Sequence, residues 1–179
     1  MALINTTTTG VLGTTVYGDG AGDLTVQKDG VTVNKITAAP AFSAYLGSNQ
    51  TVSNATNTKL QINTENFDTA SCYDSSTNYR FTPTVAGYYF LNAGATFGQG
   101  SNSVQSYIYK NGGVVFVSGH QNQASGSGNV TETVSGLVYA NGTTDYFEYY
   151  VYQSSGGSLT VYASGPYSTY FTGFLARAA

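Results

Sequence analysis

The sequence predicts an all-β fold, and three features carry that reading. Charged residues make up only 8% of the 179 positions, so the Glu, Lys and Arg that cover helix surfaces are scarce. The aromatic content of 14%, with 16 Tyr, 9 Phe and no Trp, suits the pleated surface of strands. The 22 glycines punctuate short alternating runs and supply tight turns between them. Disordered chains are poor in aromatics and rich in charge, so disorder fits badly.

The elements follow in chain order. Residues 1–39 hold two glycine-punctuated stretches, "GVLGTTVYGDGAGD" and "LTVQKDGVTVNKI". In the second, Asp29-Gly30 separates two alternating runs, Leu24 to Lys28 and Val31 to Ile36. Asp-Gly accepts the positive backbone angles of a type I′ turn, which predicts a hairpin. The stretch is too short to bury a core of its own. It reads as a β extension joined through "TAAPA" (37–41) to a domain spanning 40–179.

In "GYYFLNAGATF" (87–97) Tyr89, Leu91, Ala93, Ala95 and Phe97 share one face, and Tyr88, Phe90, Asn92 and Thr96 share the other. "SVQSYIYK" (103–110) runs through Asn111-Gly112-Gly113 into "VVFV" (114–117), a second hairpin. A polar loop (118–129) precedes the strand "VTETVSGLVYA" (130–140), which ends in an Asn141-Gly142 turn; "DYFEYYVYQ" (145–153) and "YFTGFLA" (170–176) add two more strands. Many short strands without a helical period predict a sandwich or jelly roll.

Two of these strands are aromatic on both faces. Along "DYFEYYVYQ", Phe147, Tyr149 and Val151 alternate with Tyr146, Glu148, Tyr150 and Tyr152, whereas a strand with one wet side should alternate apolar with polar. The second faces therefore read as a subunit interface, with Tyr88, Phe90, Tyr146, Tyr150 and Tyr152 as its expected members.

The remaining composition excludes several functions. The formal net charge is −3, and the six cations, Lys28, Lys35, Lys59, Arg80, Lys110 and Arg177, are spread singly, which argues against nucleic acid. Cys72 stands alone and forms no internal disulfide. The opening residues lack a basic n-region and a long apolar run, so neither a secretion leader nor membrane insertion is expected. Asp19 and Asp23 in "GDGAGD" (18–23) suggest calcium only weakly, lacking the ligand spacing of a calcium loop, and read more simply as a turn. His120, the one histidine, has no second metal ligand nearby, and the nine acidic residues form no close pair. No metal, cofactor or enzymatic activity is expected.

With strands and aromatics placed, a family pattern emerges. "AFSAYL" (41–46) is followed by Ile62, Asp68 and Tyr73, then "DSSTNYRF" (74–81), Gly87, Tyr89, Leu91 and Ala93; "YKNGGVV" (109–115) and "FTGFL" (171–175) complete the set. Across 41–176 the chain resembles the complement C-one-q globular domain, a jelly roll related to tumour necrosis factor. It departs from the pattern where Ile62, Leu91 and Ala93 stand in place of aromatics, and by one extra residue between Tyr73 and Phe81. The resemblance implies a ten-stranded jelly roll assembled as a bell-shaped homotrimer, with its termini at the base and its loops at a crown. Such a head with a Thr- and Gly-rich opening and no collagen-like stalk looks like a bacteriophage virion protein, a tail fibre or a capsid head-fibre or decoration protein. It would fold in the host cytoplasm and be joined to other virion proteins through residues 1–39. The crown is then expected to meet a host glycan or receptor through His120, Gln121, Asn122, Gln123, Tyr152, Ser154 and Ser155, polar and aromatic types that suit adaptable recognition. The alternative is a ligand-binding adhesin or surface module outside any virus.

Overall fold

The structure, a computed structural model, describes the backbone of 14–18, 24–28 and 31–36, and residues 39–98, 103–119 and 128–179. The chain divides into two units, Met1–Ala39 and Pro40–Ala179. The first contains an antiparallel sheet of β1 (Thr14–Gly18), β2 (Leu24–Lys28) and β3 (Val31–Ile36), in that order. Lys28 pairs with Val31, the register of a two-residue hairpin. The turn residues Asp29 and Gly30 lie outside the described residues, as do Asp19 and Asp23.

The second unit is a sandwich of two antiparallel sheets. Its long strands are β4 (Ala41–Tyr45), β7 (Thr64–Asp68), β10 (Gly87–Phe97), β11 (Val104–Lys110), β12 (Gly113–Val117), β13 (Val130–Ala140), β14 (Phe147–Gln153) and β16 (Tyr170–Ala178). Short ones are β5 (Gln50–Val52), β6 (Thr58–Lys59), β8 (Tyr73–Asp74), β9 (Arg80–Phe81) and β15 (Leu159–Val161). One sheet of seven strands runs β5-β15-β10-β16-β4-β7, with β13 also on β10; the other, of six, runs β12-β11-β14-β9-β8, with β6 also on β14. The head thus has more strands than the ten implied by the resemblance. Positive φ at Ala55, Ser71 and Tyr79 interrupts the 50–81 region, where the five-residue β7 stands among the two- and three-residue strands β5, β6, β8 and β9. Among the described residues the one helical turn is a 3₁₀ turn at Gly165–Tyr167.

Turn chemistry sets the register. In the β11–β12 hairpin Lys110 pairs with Gly113, leaving Asn111 at φ 53° and Gly112 at φ 81°, the type I′ geometry that Asn-Gly favours. The Asn111 side chain donates to Asp145 Oδ1 (2.7 Å) and accepts from the Tyr146 N–H (3.0 Å), so the hairpin is pinned to the turn preceding β14.

The core lies between the sheets. On β10 the alternation is as the sequence predicts, with Tyr89, Leu91, Ala93, Ala95 and Phe97 fully buried. Phe42 stacks on Phe81 (centroids 4.4 Å) and Tyr73 (4.9 Å) and meets Phe171 edge-on (5.0 Å). Three tyrosines enter this core with satisfied hydroxyls. Tyr73 donates to Ile62 O (2.9 Å), Tyr89 donates to Val85 O (2.7 Å), and Tyr149 shares a hydrogen with Ser106 Oγ (2.7 Å). Burial raises all three hydroxyl pKa values, that of Tyr89 to about 12. A phenol whose folded pKa lies above its unfolded value, about 10, contributes stability that is complete below pH 10 and declines as pH rises toward the folded pKa. In an alkaline titration, therefore, Tyr73, Tyr89 and Tyr149 should withhold their tyrosinate absorbance while the protein is native and release it together with the loss of the β-sheet circular-dichroism signal. Smooth ionisation of every tyrosine near pH 10 in the folded protein would contradict this.

Candidate functional site

Antiparallel pairing sorts the head into two ends. Gly87 faces Ala140 and Ala178, which puts the C-terminus and the Asn141–Tyr146 turn at a base. Phe97 faces Val130 and Val161, and Val104 faces Gln153, which puts Gly98, Asn129 and the 154–158 turn at the opposite end, the crown.

Of the expected crown residues, His120, Gln121, Asn122 and Gln123 lie outside the described residues. Ser154 and Ser155 belong to a turn held by internal bonds. The Ser154 N–H donates to Ser103 O (3.0 Å), the Ser155 N–H to Gln153 Oε1 (2.7 Å), and Ser155 Oγ to Gly157 O (2.9 Å). Asn54 Oδ1 accepts from the Gly156 N–H (2.8 Å). Tyr152 sits on the outward face of β14, across from Gln105. Beside this turn is an open, mostly polar depression of about 300 Å³ lined by Gly98, Asn129, Ser158, Leu159, Thr160 and Tyr162. Sequence reasoning named none of these individually; the signal was the alternation in "GSLTVY" (157–162), which turns Leu159 and Val161 inward and leaves the polar partners facing out.

The outward face of the seven-stranded sheet is different. Cross-strand rows place Leu137, Phe90, Phe174 and Ala41 side by side, then Tyr139, Tyr88 and Arg177. Phe90 and Phe174 lie 5.8 Å apart and Tyr88 and Tyr139 5.6 Å. Tyr88, Phe90, Leu137, Tyr139 and Phe174 are 37–57% exposed. The neighbouring β12 exposes Val114, Val115 and Val117. Its Phe116 turns the other way, onto Gly136 of β13, while Val114 and Val117 lie across from Tyr109 and Tyr107 on the outward face of the six-stranded sheet.

The opposite face of the sandwich, on the six-stranded sheet, holds its own tyrosines. Tyr109 stacks on Tyr150 at 4.2 Å and meets Tyr107 at 6.3 Å, and Asn57 Nδ2 donates to Tyr109 Oη (3.0 Å). Lys59 pairs with the buried Glu148 (2.9 Å), and the Arg80 guanidinium lies over the Tyr146 ring at 4.5 Å. Burial, and then the Glu148 charge, raise the Tyr150 pKa. The five residues expected at one subunit interface are therefore divided between two surfaces. Tyr88 and Phe90 leave one side of the sandwich, while Tyr146, Tyr150 and Tyr152 leave the other and pack largely within their own sheet.

The acidic groups are tied into structure. Burial pushes the Asp145 carboxyl up, but hydrogen bonds from Lys110, Asn111 and the Asn141 N–H, with the Lys110 charge, outweigh it and leave its pKa lowered; Lys110 Nζ lies 2.8 Å away. Among the described residues no three His, Cys, Asp or Glu side chains converge on a point that could hold a metal. Among them, too, no helix is long and apolar enough to cross a membrane. Cys72 is buried, its Sγ 3.4 Å from Ala70 O and 3.5 Å from Thr84 Oγ1.

No protein-family model matches the chain, and no curated protein aligns with it. Solved structures do. Eiger TNF from S. frugiperda superposes with a TM-score of 0.59 and 10% identity over 79% of this chain and 93% of that one. Murine APRIL gives 0.57 and 8% over 76% and 98%. The head has the tumour-necrosis-factor-like jelly-roll fold. The PRD1 vertex protein P5 shares this jelly roll at TM-score 0.57 and 12% identity, over 79% of this chain and 100% of that one.

Proposed function

We propose that the chain is a non-enzymatic structural protein of a bacteriophage particle, a fibre or decoration subunit whose jelly-roll head assembles as a homotrimer. One observation carries the assembly: the exposed face formed by Tyr88, Phe90, Leu137, Tyr139 and Phe174. At roughly half exposure, five such side chains present on the order of 400–500 Å² of apolar surface, at the upper end of what a monomer shows to water. With 8% charged residues little else keeps single chains apart. The valine edge of β12 is a second, different apolar patch. A closed ring needs two unlike patches that meet between successive subunits, whereas a two-fold dimer needs one patch that meets itself. The reading therefore puts the valine edge of one copy against the aromatic face of the next.

The virion setting is supported by the jelly-roll likeness to PRD1 vertex protein P5 and by the separate β unit within residues 1–39, which we assign to attachment. The crown, with its polar depression at Asn129, Ser158, Thr160 and Tyr162, together with Tyr152, Ser154, Ser155 and the 120–123 segment, is assigned to host contact. Truncation tests the division of labour. A chain beginning at Pro40 should sediment at a mass near three heads and fail to join particles that lack the full-length protein. Loss of trimers on truncation would move the assembly role to residues 1–39, and unimpaired joining would remove their anchoring role.

A further inference from the structure

Arg80 is the unusual cation of the head. Lys59 and Lys110 each hold a carboxylate, but among the described residues no carboxylate lies within ion-pair distance of Arg80. Its Nε is buried without an acceptor, which is destabilising for a charged donor. The guanidinium is fixed over the Tyr146 ring and borders an open depression of about 330 Å³, which also takes in Ser71, Thr82, Thr84 and Asp74. Asp74 does not serve as its partner. Its Oδ1 accepts from the Ser76 N–H, Ser76 Oγ and the Thr77 N–H, and its Oδ2 from the Asn78 N–H and Nδ2. A guanidinium held over an aromatic ring and bordering hydroxyls is suited to take a planar oxyanion through its terminal N–H groups. Along the same face of β14, past the neutralised Lys59–Glu148 pair, Tyr150 and Tyr109 offer a stacked aromatic surface of the kind on which sugar rings rest.

We infer that this face binds an acidic oligosaccharide, with a sugar carboxylate on Arg80 and neighbouring rings over Tyr109 and Tyr150. Among the described residues Arg80 is the cation of this face without an ion pair, and it would receive the anion on the side of the depression away from the Asp74 carboxylate. The surface lies on the side of the sandwich away from Tyr88 and Phe90, with Val114 and Val117 of β12 at its Tyr109 end, and a trimer that leaves Arg80 and Tyr150 open would present three such sites and gain from avidity.

The test uses the full chain in calorimetry with an oligogalacturonate of a few residues, its methyl ester and inorganic phosphate. The acid form should bind and the ester should bind about tenfold more weakly or worse, the worth of one charge-assisted hydrogen bond. Arg80→Gln should reduce binding of the acid by about the same factor and leave the ester unchanged, with sedimentation as in the parent. Arg80→Lys, which keeps the charge but loses the fork, should restore only part of the affinity. Tyr150→Phe should keep binding, and Tyr150→Ala should weaken both acid and ester. Equal binding of acid and ester, an unaffected Arg80→Gln, or no binding of the acid at millimolar concentration would overturn the inference. Phosphate displacing the acid while Tyr150→Ala has no effect would leave an oxyanion site and overturn the saccharide.

Discussion

Replacing Phe90 with aspartate is expected to leave single chains where the parent protein sediments as trimers. Phe90 occupies the middle of its row, flanked by Leu137 and Phe174, and its ring is 37% exposed in the single chain. The substitution therefore costs little within one head, because its carboxylate can reach water there. Between subunits the same carboxylate would be desolvated against rings and valines, with Phe174 and Leu137 as its direct cross-strand neighbours and Arg177 only in the next row, which costs several kcal/mol per contact. Three such contacts close a ring, so trimers should vanish from a micromolar sedimentation run. Tyr150→Asp is the informative contrast. It would lose the Tyr109 stack and stand beside Glu148, weakening the head while leaving three-chain mass. Trimeric Phe90→Asp together with monomeric Tyr150→Asp would transfer the interface to the other side of the sandwich.

That contrast also marks how far the sequence reaches. Alternation located the strands because each buries one face, and β10 and β13 begin and end where the pattern of "GYYFLNAGATF" and "VTETVSGLVYA" places them. Asn111-Gly112 announced its turn through backbone chemistry local to two residues. What alternation cannot report is which strand lies alongside. The outward tyrosines of β14 and the outward aromatics of β10 look alike in sequence, yet Tyr150 meets Tyr109 and Lys59 from neighbouring strands, whereas Phe90 meets Leu137 and Phe174, themselves open to water. The unpaired state of Arg80 was hidden for the same reason. It depends on Asp74 being occupied by its own turn and Glu148 by Lys59, facts of tertiary placement. The polar crown depression fell between the two cases, its inward residues legible and its concavity not.

Phe42→Ala should be the most damaging single truncation in the core. The ring is completely buried and touches Tyr73, Phe81 and Phe171, which come from strands of both sheets, so the neighbours cannot collapse into the space without pulling the sheets together. Truncations of this kind cost about 3–5 kcal/mol, which for a domain of this size lowers the melting temperature by roughly 6–20 °C. Phe67→Ala is the matched control, since that ring is 51% exposed and its loss should fall within about 0.5 kcal/mol. Because association raises apparent stability with concentration, the pair is best melted in the Phe90→Asp background, where each head stands by itself. A difference between Phe42→Ala and Phe67→Ala smaller than about 1 kcal/mol there would mean that the ring cluster does not hold the two sheets together. If the large difference appears in single chains, the inward aromatics stabilise the head on their own, and assembly is left to the outward ones.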